Sequence, residues 1–235
     1  MFPLQDTMPS RGLPFVTWIF IVINVLVFLA ETQMGTPELE VVLRGLGLVP
    51  ARLLHEFSLA EIGTVFSSMF LHGGFTHLIG NMWFLHIFGD NVEDRMGPWN
   101  YLVFYMLAGC VAAMTQTMMN PGDHTPMIGA SGAISGVLGA YLVLFPESKV
   151  ITLIPVFLIP YFVRVPAIFF LGFWFVMEFF SGFFSLSGAT ADDATGGGVA
   201  FWAHVGGFVF GMLVAVFFIK PAAERPRYRD EYQPW

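Results

Sequence analysis

A single cysteine, Cys110, rules out a disulfide within the chain and a cysteine-based zinc site. Basic residues are scarce: 10 Lys and Arg stand against 17 Asp and Glu, and a net charge of −7 is not the footprint of a nucleic-acid binder, whose contact faces are basic. Charge of either sign is sparse, at 11% of 235 residues against about 25% in an ordinary soluble domain. Apolar residues make up 56% and aromatics 17%, which argues against a water-soluble globule and for a membrane protein. His-Glu-x-x-His is absent, and Asp90 follows Phe88-Gly89 rather than the Gly-x-Gly of intramembrane aspartyl proteases. No metal and no other cofactor is expected.

The apolar residues fall into six stretches of membrane-spanning scale, against about 20 residues needed to cross roughly 30 Å of hydrocarbon. They cover about 14–30, 74–89, 99–119, 131–145, 167–184 and 199–219. The first has one basic residue before it, Arg11, and no small-x-small site after it, so it reads as a retained helix and not a signal peptide. An even number of spans puts both termini on one side. On that side fall Arg11, Arg95, Lys149, Arg164, Lys220, Arg225, Arg227 and Arg229, leaving only Arg44 and Arg52 opposite, so both termini are expected in the cytoplasm. The expected fold is an all-α polytopic bundle of six transmembrane helices. It comprises a cytoplasmic tail (1–13), a membrane domain (14–219) with a half-embedded first loop (about 31–63), and a basic cytoplasmic tail (220–235). The loops 120–126 and 187–198 fall on the outer side with the first loop. The lipid bilayer is its medium, of the bacterial plasma-membrane type.

Polar groups inside such spans cost about 2.5–3.5 kcal/mol each on insertion scales, so each is a candidate for function. Span four opens with Gly129-Ala130-Ser131-Gly132. A serine at a helix N-terminus has unpaired backbone N–H groups beside it, ready to bind an oxyanion that forms when the serine attacks an acyl carbon. The same glycines also suit close helix packing. Span six carries His204 near its outer end, followed by a small-residue row, Gly207, Gly211 and Ala215, that would let span four approach. Ser131 and His204 thus lie at matching depth, as nucleophile and base require. At the start of span two, His77 and Asn81 are four apart on one face and follow His72; imidazole and carboxamide both donate to an oxyanion. Glu178, the one acidic residue well inside an apolar span, reads as a buried or cavity-facing polar group, and a two-residue catalytic unit is favoured over one that includes it.

Together Gly129-Ala130-Ser131-Gly132, Ala203-His204-x-x-Gly207-x-x-x-Gly211, and His72 with His77-x-x-x-Asn81 resemble the rhomboid family of intramembrane serine proteases, in order as well as content. The acidic segment from Gly89 to Gly97 resembles the family's connection between spans two and three. The resemblance implies Ser131 as nucleophile, His204 as general base and then acid, and His77 and Asn81 as oxyanion donors, with backbone at Gly129, Ala130 and Ser131. Glu93 would be a structural helix-end residue. It also implies single-span transmembrane proteins as substrates, cleaved in or beside their helix, and movement of span five and the loop after it, around Trp174, Phe175 and residues 181–198, to admit them. Two departures stand out. Ser135 occupies the position, four after the nucleophile, where many members carry an aromatic packed on the catalytic histidine, and the first loop has no Trp-Arg pair. The competing readings are a catalytically inactive relative that binds transmembrane helices and a transporter, for which the halves show no internal repeat.

Overall fold

A computed structural model describes residues 2–10, 12–56, 58–156, 159–186 and 200–219. Each of the six apolar stretches contains a long helix: α1 (Phe15–Glu31), α5 (Phe75–Met96), α6 (Pro98–Met119), α7 (Ser131–Leu144), α8 (Ala167–Leu186) and α9 (Phe201–Ala215), the last extended by a 3-10 turn, Val216–Phe218. Among the described residues three helices are sufficient alone, by length and apolarity, to cross a membrane: α6, α8, and α9 with its extension. Helices α1 and α7 are shorter, at 17 and 14 residues. The first loop folds as α2 (Thr36–Leu46), α3 (Pro50–His55) and α4 (Leu59–Ser67). Local chemistry marks their starts: the Gly35 N–H donates to the Glu38 carboxylate, Pro50 opens α3, and Ser58 caps α4 by accepting from the Glu61 N–H. Arg52 then ties the loop together, donating to the carbonyls of Arg44 and Gly47 and pairing with Glu61 at 3.4 Å.

Two features differ from the sequence expectation. Residues 90–96, read as a connection, continue α5; the break comes at Gly97, whose φ of 81° favours glycine, and Pro98 opens α6. The reason is Glu93, which accepts from the N–H groups of Val16 and Thr17 and from Thr17 Oγ1, so that one buried carboxylate caps the start of α1. Second, the chain is not all-α. Strand β1 (Phe2–Asp6) lies in the expected tail, and β2 (Lys149–Val156) and β3 (Ile159–Pro166) lie in the stretch punctuated by Pro155, Pro160 and Pro166. They form one antiparallel sheet in the order β1-β2-β3, with Lys149 opposite Pro166 and Asp6 opposite Val150. The β-branched run Val150-Ile151-Thr152 favours extended backbone, and Val150 and Thr152 are buried against the helices. Trp83 Nε1 anchors β1 by donating to the Pro3 carbonyl at 2.6 Å.

The core lies among α1, α5, α6, α7 and α9, around Phe88, Tyr101, Tyr105, Tyr141 and Phe208, with Phe20 stacked on Tyr105 at 4.0 Å. Helix α8 contributes only Ala167 and Leu171 to it and lies at its edge; of its residues only Ala167, Leu171 and Gly182 are buried. A belt of exposed apolar side chains, including Trp18, Leu26, Phe169, Phe173 and Phe183, suits contact with lipid. The sheet joins the C-terminal end of α7, whereas Ser131 begins that helix, so the N-terminal strand and the candidate site occupy opposite ends of the bundle.

Candidate active site

Helices α7 and α9 meet backbone to backbone. A Cβ on Gly211 would lie 1.9 Å from the carbonyl oxygen of Gly136, and one on Gly139 would lie 2.0 Å from that of Phe208. Only residues without side chains permit this approach, and Ala215 continues the row, fully buried. The contact brings the two helix N-termini together, with Ser131 on one and His204 on the other. Ser131 Oγ and His204 Nε2 are 2.8 Å apart.

Each remaining candidate has a definite place. His77, in the first turn of α5, packs its ring against Gly129; a Cβ there would lie 2.7 Å from His77 Nε2, and the φ of 121° is one that side chains avoid. The Gly129 N–H donates to the Ser68 carbonyl, so Gly129 supplies room for the imidazole and not an oxyanion donor. Ala130 caps α7, and the first intrahelical bond runs from the Ile134 N–H to its carbonyl, leaving the N–H groups of Ser131, Gly132 and Ala133 without an intrahelical acceptor. Asn81, one turn beyond His77 and buried, holds its Nδ2 3.0 Å from His72 Nε2. An amide nitrogen only donates, so the His72 nitrogen accepts, and a second N–H remains on Asn81. Burial, with the neighbouring His77 adding to it, pushes the His72 pKa down to about 4, so this imidazole is a neutral acceptor at ordinary pH. The His72 and His77 rings meet edge to face at 5.1 Å.

The structure also assembles what sequence reasoning set aside. Glu178 Oε2 lies 2.7 Å from His204 Nδ1, on the side of the ring away from Ser131. Trp174, one turn earlier on α8, has its ring centroid 5.9 Å from that of His204. Ser135, where an aromatic was wanting, is buried and donates to the Ser131 carbonyl. The signal for Glu178 was present, as the one carboxylate deep in an apolar span, but its rotation toward His204 depends on how α8 packs.

Ser131, His204, His77, Asn81, Glu178 and Trp174 all line one cleft of about 1070 Å³, whose far wall includes Leu39 and Glu40 of α2. A second recess of about 20 Å³ opens beside Ser131, walled by Met69, Gly109, Ala112, Gly132 and Ala203. The array can bind a carbonyl, attack it with a hydroxyl, and move the hydroxyl proton to an imidazole. The expected movement of residues 187–198, and the basic tail 220–235, lie outside the described residues.

A family model described as Rhomboid domain matches residues 60–221. Similar proteins include Rhomboid protein 1, mitochondrial, of Saccharomyces cerevisiae, 30% identical over 175 residues that cover 71% of this chain and 44% of that protein. Rhomboid protease GluP of Bacillus subtilis is 31% identical over 134 residues, covering 57% of this chain and 25% of its own. The presenilin-associated rhomboid-like protein, mitochondrial, of Bos taurus is 30% identical over 93 residues, covering 38% and 25%. The chain therefore spans less than half the length of these curated relatives. Relatives named as mitochondrial stand beside bacterial ones, so the similarity supports a membrane protein and does not carry the bacterial plasma membrane expected above.

Proposed function

The chain belongs to the rhomboid family, and from that premise we propose that it is an intramembrane serine endopeptidase hydrolysing a peptide bond in or beside the transmembrane helix of a membrane protein. The observation that carries this reading is the 2.8 Å contact between Ser131 Oγ and His204 Nε2 at the N-terminus of α7. Ser131 is the nucleophile; His204 takes its proton on attack and returns it to the leaving amine; water activated by the same nitrogen then releases the acyl group. The oxyanion is met by backbone N–H at the start of α7 and by the side chains of Asn81 and His77.

Topology supports the same chemistry. In this reading all six long helices cross the membrane, with both termini in the cytoplasm and the cleft opening on the other side. Fourteen residues of helix extend roughly 21 Å, less than the roughly 30 Å of hydrocarbon, so α7 need not reach the outer surface, which fits a Ser131 within membrane depth. The cleft of about 1070 Å³ leaves room for water there. A substrate helix must unwind to present its carbonyl, because its own hydrogen bonds otherwise hold it. The recess beside Ser131 is about the size of one water molecule, which suits a small side chain next to the scissile bond.

The test is labelling of the full chain in lipid vesicles by an alkyl fluorophosphonate, comparing wild type with Ser131→Ala and His204→Ala. Labelling of wild type alone is expected. Equal labelling of all three, or none of a folded wild type, overturns this reading in favour of a helix-binding protein without hydrolytic activity.

A further inference from the structure

Glu178 is set in α8 in a run dominated by apolar residues, Phe175-Val176-Met177 before it and Phe179-Phe180 after it. A carboxylate there is costly unless it is paired. Its side chain is 17% exposed, that of His204 10%, and the two meet at 2.7 Å through His204 Nδ1. The other ring nitrogen, Nε2, faces Ser131 at 2.8 Å. A carboxylate is only an acceptor, so the contact requires the proton on Nδ1, and this leaves the lone pair on Nε2 directed at the serine hydroxyl.

We propose that Glu178 is a positioning residue that completes a Ser131–His204–Glu178 triad, fixing the tautomer and ring orientation of His204 and holding a countercharge beside the imidazolium formed on attack. The inference rests on the hydrolytic reading above and deepens it. In the acylation step the Ser131 O–H bond breaks as its oxygen bonds to the substrate carbonyl carbon. The proton moves to Nε2, and the cation is held between the oxyanion on one side and the Glu178 carboxylate on the other. The same proton then passes from Nε2 to the departing amine as the peptide C–N bond breaks.

A second observation points the same way. Four residues after the nucleophile stands Ser135, whose hydroxyl is turned to the Ser131 carbonyl and gives the imidazole no aromatic surface. Helix α8 provides the support instead, with Trp174 near the ring and Glu178 one turn later on its edge. The histidine is thus oriented from α8, where a packing aromatic on α7 is lacking.

The test uses the full chain in lipid vesicles with an alkyl fluorophosphonate, reading the maximal inactivation rate separately from the half-saturating concentration. Glu178→Gln keeps shape and loses charge; it is expected to lower the maximal rate by about 10²- to 10⁴-fold while half-saturation stays within about twofold. Glu178→Asp recovers part of that rate. The wild type also gives a downfield Nδ1–H proton resonance that disappears in His204→Ala and in Glu178→Gln. Wild-type rates in Glu178→Gln and Glu178→Ala, with Ser131→Ala and His204→Ala unlabelled, overturn the proposal and leave a dyad. Labelling that survives in His204→Ala instead overturns the hydrolytic reading itself. Should Glu178→Gln lower thermal stability, the wild-type resonance decides alone, and its absence overturns the triad.

Discussion

A Cβ on Gly207 would lie 2.1 Å from the carbonyl oxygen of Gly132, one residue past the nucleophile and one turn past His204. The distance between serine and histidine is therefore set by a contact that neither makes. Helices α7 and α9 are locked at the closest approach backbone allows, and their first turns carry the reacting groups into register.

Gly207→Ala should separate these helices. Overpacking typically costs about 1–3 kcal/mol, and here the obstacle is backbone that cannot swing aside. A lower Tm is expected, together with slower fluorophosphonate labelling of the fraction that remains folded. Gly172→Ala is the control, since a Cβ on Gly172 in α8 meets nothing within 4 Å; it should leave both readouts at wild-type values.

Asn81→Ala removes an oxyanion donor and leaves His72 Nε2 without its 3.0 Å partner. Loss of one such donor costs about 10²–10³ in kcat. Cleavage of a reconstituted transmembrane substrate should show that loss in kcat with KM nearly unchanged. His72→Gln, which keeps an acceptor for Asn81, should retain more activity than His72→Ala.

Much of this was legible in the residues. Gly129-Ala130-Ser131-Gly132 and the Gly207/Gly211/Ala215 row declare themselves locally, because small residues at helical spacing have few other uses in an apolar span. The sheet was not legible: β1 and β2 are more than 140 residues apart, and Pro155, Pro160 and Pro166 read as breaks although they fall where an antiparallel hairpin tolerates them. Nor was the contact from Glu178 to His204, since no pattern within α8 states which neighbour its polar residue faces. The extension of α5 through Glu93 was hidden for a related reason, as it depends on the start of α1, 77 residues earlier.

That cap makes a separate prediction. The Glu93 carboxylate accepts three hydrogen bonds at 2.8–2.9 Å and is buried at the end of the bundle away from Ser131. Glu93→Gln leaves one oxygen to do this work and places an NH₂ against backbone donors. A loss of about 1–3 kcal/mol is expected, seen as a fall in Tm. The labelling rate per folded molecule should not change, which separates this residue from the catalytic groups.

Asp6 and His72 titrate in opposite senses at opposite ends of the molecule. Asp6, on β1, accepts from the Tyr141 hydroxyl and from Asn91 Nδ2, but burial outweighs these bonds and its pKa is pushed up to about 7 from 3.8. The folded state therefore holds a proton that the unfolded chain has released, and the stability this contributes is full below about pH 4 and lost as pH rises to about 7. His72, with its pKa down at about 4 from 6.5, works in reverse: its contribution is full above about pH 6.5 and lost as pH falls toward 4. Across the same interval the two slopes oppose, and wild type should show a shallow dependence of Tm on pH. Asp6→Asn keeps an acceptor for Tyr141 and removes one slope, so its Tm should climb from pH 4 to pH 6.5. His72→Gln removes the other, so its Tm should decline from pH 4 to pH 7. Thermal unfolding of the three proteins across pH 4–8 checks this, and parallel curves would show that neither group carries the assigned shift.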